Sequence, residues 1–215
     1  MKNGFLFVRI LGIIVSLIAS FEGFAQFVEL SPIPNRTIKA DNSSSITRIN
    51  SLNTIPFWDD FSGGLDTLKW NFSGTSYTET IGINAPSIGM ILFDGVDITG
   101  TPYSLQRTEQ GDADKVTSKP FDLSTIAPNK ANTLYLSFFW QLGGRGELPD
   151  ENDELILAFL NNDGIWSTAW SNNGGVLLGR NKLNEVVIAV APIFQHSNFQ
   201  FRFLTKGILW VPFDR

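Results

Sequence analysis

Residues 131–170 read ANTLYLSFFWQLGGRGELPDENDELILAFLNNDGIWSTAW, and apolar side chains recur along them with a period of two. Leu134, Leu136, Phe138 and Trp140 alternate with Tyr135, Ser137, Phe139 and Gln141, and Leu155, Leu157 and Phe159 alternate with Glu154, Ile156 and Ala158. Successive side chains of a strand point to opposite faces, so this spacing predicts two long strands, each half-buried behind one apolar face. A helix needs apolar residues every three or four positions, and Gly143, Gly144, Gly146 and Pro149 break the middle of the stretch into a loop. Downstream, residues 185–191 (EVVIAVA) read as a buried strand, and residues 199–204 set Phe199, Phe201 and Phe203 inward against Gln200 and Arg202 outward. Upstream, residues 76–81, 87–93 and 113–123 are shorter candidates. Pro120 cannot donate to a ladder, so it places the last of these at an edge or a strand end. With no amphipathic helix among them, these segments predict an all-β antiparallel sandwich. Its facing stripes would bury Leu136, Phe138, Leu155, Leu157, Phe159, Val186 or Val187, Phe201 and Phe203 together.

The ends of the chain carry a different pattern. Lys2 and Arg9 precede an apolar run over residues 10–19, and Gly23 and Ala25 are small residues at the positions a signal peptidase reads. Residues 1–25 are therefore expected to be a signal peptide, with export to the outside or outer surface of the cell. The run is shorter than the ~20 apolar residues that a span needs, so no membrane span is expected after cleavage. Residues 26–54, rich in Pro, Ser and Asn, read as a linker with a short strand candidate at 27–30, and residues 55–215 as one domain. Aromatic residues make up 13% of the chain, enough for a thick inter-sheet core, and there is no cysteine, so neither disulfides nor a thiolate nucleophile contribute. A net charge of -5 argues against nucleic acid, whose binding is driven by Lys and Arg releasing counterions.

The domain opens with IPFWDDFSGGLDTLKW at residues 55–70, anchored by Phe57, Phe61 and Trp70 around a turn at Ser62, Gly63, Gly64 and Asp66. This opening resembles that of concanavalin A-like jelly rolls, including the glycoside hydrolase family that contains laminarinases and lichenases. The succession VTSKPFDLS, LYLSFFWQLGG, DENDELILAFL, GIWSTAW and FQFRFLTKG over residues 55–215 resembles secreted proteins of Bacteroidota bacteria that carry type IX secretion sorting domains, and is more loosely similar to the MAM adhesion domain. The resemblance implies a MAM-like jelly roll acting as a non-catalytic binding or adhesion module, for a glycan or a cell-surface protein. The chain departs from it in lacking the paired cysteines of MAM domains and the sorting domain. The resembled family also closes on a strand of the type Asp-x-Trp-x-x-Asp, whereas this sequence reaches Pro212, Phe213, Asp214 and Arg215. That difference implies a domain without its closing strand, as in a gene fragment; a shorter sandwich using residues 27–30 as a replacement is the alternative.

Candidate chemistry is sparse. Glycoside hydrolysis needs two carboxylates flanking the sugar bond. The resembled hydrolases place theirs as Glu-x-Asp-x-x-Glu, but the nearest run here, Glu151, Asn152, Asp153, Glu154, Leu155, Ile156, ends on Ile156. No catalytic residue is assigned, and a hydrolase acting on β-glucans or a structural piece of a larger surface protein stand as alternatives. His196 is the single histidine, beside Ser197, with no nucleophile-elbow motif. Asp59, Asp60 and Asp94 offer the hard oxygens that calcium takes, and the resemblance implies a structural Ca2+ near the domain opening, with Asp60 the first candidate. Trp140, Trp166 and Trp170 are candidates for stacking on sugar rings, against a core role for each. Thr67, in Asp66-Thr67-Leu68, matches the short O-glycosylation sequon of the resembled bacterial group.

Overall fold

The structure is a computed structural model that describes residues 52–106, 108–175 and 182–210. The expected signal peptide, the linker up to residue 51 with its strand candidate at 27–30, and the last residues, 211–215, lie outside the described residues.

The apolar alternation forms strands, and the described fold is nearly all β. The strands are β1 (Trp70–Ser73), β2 (Ser76–Thr78), β3 (Met90–Leu92), β4 (Gln110–Ser118), β5 (Tyr135–Trp140), β6 (Glu154–Leu160), β7 (Trp166–Asn173), β8 (Asn184–Ala189) and β9 (Phe201–Ile208). They pair antiparallel in a five-stranded sheet of order β1-β4-β9-β6-β7 and two ribbons, β5 with β8 and β2 with β3. β5 and β6, adjacent in sequence, thus belong to different sheets, and the glycine-rich loop between them carries the chain across. At Gly144 that loop passes so close to the 79–89 segment that a Cβ would sit 2.5 Å from the Ile81 carbonyl, and its φ of +55° suits glycine. Gln141, just past β5, docks the same segment: its Oε1 accepts from Ile83 N at 2.8 Å and its Nε2 donates to Ile83 O at 2.9 Å.

Between the five-stranded sheet and the β5–β8 ribbon lies the main core. Leu157 and Phe159 of β6, Phe201 of β9, Val116 of β4 and Trp70 of β1 are buried there, with Leu136 and Phe138 of β5, Ile188 of β8 and Phe203 packed against them. The arrangement is sandwich-like, and the expected core is largely the observed one. One position differs. Leu155 lies outside this cluster, and of the two β8 alternatives Val187 is 59% exposed whereas Val186 shares the half-buried face with Ile188.

A second difference concerns β6. Ile156 and Ala158, read as the solvent side of a half-buried strand, are 7% and 3% exposed. With Leu204 of β9 they form a separate small cluster on the outer face of the five-stranded sheet, and Trp166 packs against it. β6 is covered on both faces, by the inter-sheet core on one side and, on the other, by side chains of its flanking strands, Leu204 of β9 and Trp166 of β7. Pro120 falls just beyond β4, at a strand end, while β4 itself lies between β1 and β9.

Candidate functional site

The three candidate tryptophans do not share a surface. Trp140 and Trp170 pack on each other in the inter-sheet space, their rings 5.3 Å apart, and Trp170 meets Phe138 edge-on at 5.2 Å. Trp166 lies on the opposite face of the five-stranded sheet. It pairs with Leu160 in the β6–β7 ladder, two positions before Thr168, and its side chain is partly exposed.

The outer face around Trp166 is built by register. One row runs across all five strands as Asn71, Thr117, Arg202, Ala158 and Thr168. The next runs as Ser73, Lys115, Leu204, Ile156 and Ser171. Amide and hydroxyl side chains therefore flank an apolar centre. Ala158 separates Arg202 from β7 by only a methyl group, and the Arg202 guanidinium reaches over it to lie 4.4 Å from the centroid of the Trp166 ring. A cation over an indole face is attracted by the ring quadrupole. The Arg202 Nε is shut off from solvent without a hydrogen-bond partner. Burial draws the guanidinium's proton affinity down, and the charge of Asp112 opposes that.

The acidic candidates are engaged locally. Asp59 accepts from Phe61 N at 3.0 Å and from the Trp70 indole at 2.8 Å, with Lys69 Nζ 3.5 Å away, so it ties the domain opening to β1. Asp60 accepts from the hydroxyl and backbone N–H of Ser62, which hold its carboxyl below the usual carboxylate range. Asp94 accepts from Val96 N at 3.4 Å. Among the described residues no three His, Asp or Glu side chains are grouped as a metal ion requires. Of the acidic run, Glu151 is exposed and Asp153 is buried, accepting from Asp150 N at 3.1 Å and organising the loop before β6. An open cleft of about 280 Å³ beside Asn53 and Phe121 contains one carboxylate, Asp122, which accepts from Ser124. His196 Nδ1 accepts from Asn198 N, which leaves Nε2 protonated and donating to Leu160 O at 3.0 Å. Thr67 is exposed in the turn before β1.

Two features carry no short motif and were missed in the sequence. Arg202 reads there as an ordinary outward residue of an alternating strand; its only signal is a cation between two Phe residues. The other is Asp114, which is fully buried at a bulge where β4 places two residues opposite one of β9. Its oxygens accept from the Tyr103 hydroxyl at 2.8 Å and Gly95 N at 2.7 Å. A Cβ on Gly74 would overlap the Tyr103 hydroxyl, so the close approach there needs glycine.

Burial, and then the hydrogen bond to Asp114, push the Tyr103 phenol well above its ordinary value of 10.0. Being neutral when protonated, Tyr103 contributes stability that is fully present below about pH 10 and is lost as the pH rises beyond it, because the unfolded chain then releases a proton that the folded chain keeps. Tyr103→Phe should flatten the fall of stability above pH 10, measured by urea midpoints from pH 8 to 11. An identical fall in the variant would mean that the phenol plays no part.

No protein-family model matches the chain, and no curated protein matches it.

Proposed function

We propose that this chain is a non-catalytic binding or adhesion module, exported to the outside or outer surface of the cell and built on a concanavalin A-like, MAM-like jelly roll. The observation that carries the reading is the outer face of the five-stranded sheet. An aromatic residue and a cation stand there over an apolar centre, framed by Asn, Ser and Thr side chains, a combination suited to a polyhydroxylated ligand. Two carboxylates support binding over hydrolysis: Asp153 of the acidic run accepts from Asp150 N and Asp122 of the open cleft accepts from Ser124 N, each within its own loop. Export rests on the basic, apolar and small-residue order of residues 1–25.

A glycan array probed with the purified protein, followed by a reducing-sugar assay on each glycan retained, tests the reading. Retention of at least one glycan without release of reducing ends is expected. Release of reducing ends, abolished by neutralising one carboxylate, would make the chain a hydrolase. Retention of nothing would leave it a scaffold.

A further inference from the structure

Arg202 faces the charge of Asp112 only at a distance, and none of the described ion pairs includes it. Its guanidinium has no hydrogen-bond or ion-pair partner among the described residues, although it is half-buried and its Nε is cut off from water. Withdrawing a charged donor from water without a partner is costly, and stacking on Trp166 offsets only part of that cost. Nη1 and Nη2 still reach solvent, since only Nε is a buried, unpartnered nitrogen. Of the lysines on this face, Lys115 is 3.4 Å from Asp112, Lys119 donates to the Asn71 amide Oδ1, and Lys206 stands opposite Asp112 and Glu154 in the ladder.

We propose that this face binds a polysaccharide containing uronic acid, with Arg202 taking the sugar carboxylate and the Asn71, Thr117 and Thr168 row taking ring hydroxyls. This rests on the reading of the chain as a binding module. A guanidinium presents two parallel N–H donors that match a carboxylate, in a fork that the stacked indole holds in place. The face carries Lys115, Lys119, Arg202 and Lys206 against Asp112 and Glu154, so it attracts anions even though the whole chain has a net charge of -5. One unpaired guanidinium suits a polymer with a single carboxylate per sugar, whereas a phosphate backbone is held by many free cations at once. The flanking amide and hydroxyl groups favour a sugar over an acidic peptide, which would present few hydroxyls to them.

The test is calorimetric titration of the purified full chain with oligosaccharides of galacturonate, guluronate, mannuronate and glucuronate, with the methyl ester of any oligomer bound, and with polyglutamate. The expected result is binding of at least one uronate, lost on esterification, weakened by added salt, and stronger than binding of polyglutamate. Arg202→Gln should weaken it by about ten- to a hundredfold, as removal of a charge-assisted pair does, while Arg202→Lys retains part. Melting curves of both variants separate lost binding from lost folding. Should Arg202→Gln fail to fold, Arg202→Lys and the ester comparison on the native chain still decide. The proposal is overturned if none of the uronates binds, if the ester binds equally, if polyglutamate matches the uronate, or if folded Arg202 variants bind undiminished. Retention of neutral glycans alone would overturn it and leave the binding-module reading standing. Retention of no glycan at all would sink both.

Discussion

Truncating Phe201 to Ala is expected to cost about 3–5 kcal/mol, the range for deleting a large ring from a core that cannot collapse around the gap. Phe201 is 4% exposed and meets five other rings: Phe57, Trp70, Phe121, Phe199 and Phe203, at centroid distances between 5.5 and 6.4 Å. These rings come from the domain opening, β1, the segment after β4, the residues just before β9, and β9 itself. A cavity at Phe201 therefore loosens contacts between parts of the chain far apart in sequence, and its backbone N–H also donates to the Ser118 hydroxyl at 3.0 Å. Urea unfolding should show the midpoint falling with the slope unchanged. A loss under about 1 kcal/mol would mean that the ring is exposed or the packing loose.

Asp114→Ala is the second large effect, expected at about 3–5 kcal/mol. Removing this carboxylate leaves the Tyr103 hydroxyl and the Gly95 N–H without the acceptor each now has, and a buried donor stripped of its partner costs about 1–3 kcal/mol. The space left by the side chain adds to that. Asp114→Asn should cost roughly half as much. The amide oxygen can accept from Gly95 while the Tyr103 hydroxyl turns to accept from the amide nitrogen, so both contacts survive in neutral form. Equal losses for Ala and Asn in urea unfolding would show that charge, and not hydrogen-bond geometry, makes Asp114 matter.

The strands were legible because a period of two survives wherever one face is covered. Tyr135 and Phe139 are 59% and 51% exposed while Leu136 and Phe138 face the core, as their alternation requires. The same rule misread Ile156 and Ala158, because a strand in the interior of a sheet can be covered on both faces and period alone does not say where in the sheet it lies. β1 went unread: Trp70 stood out only as an anchor, and four residues, WNFS, are too few to display a period. The outer face is a product of register. Asn71, Thr117, Arg202, Ala158 and Thr168 come from five strands spread over the chain, and only ladder pairing puts them in one row. The ring type singled out three of the six tryptophans as candidates but could not separate Trp166 from Trp140 and Trp170, which lie on the other side of the sheet.

The central claim, that the working surface is the outer face of the five-stranded sheet, is tested most directly by an NMR titration of the protein with uronate oligosaccharides, the ligands proposed for it. Shifts are expected at the Trp166 indole, the Arg202 side chain and the amides of Thr117, Ala158 and Thr168, alternating along each strand with the side chains that share this face. The indoles of Trp140 and Trp170, packed on each other in the inter-sheet space, should stay in place. Shifts centred on those two indoles, or on Tyr135, Phe139 and Val187 across the open face of the β5–β8 ribbon, with Arg202 and Trp166 unmoved, would contradict the account.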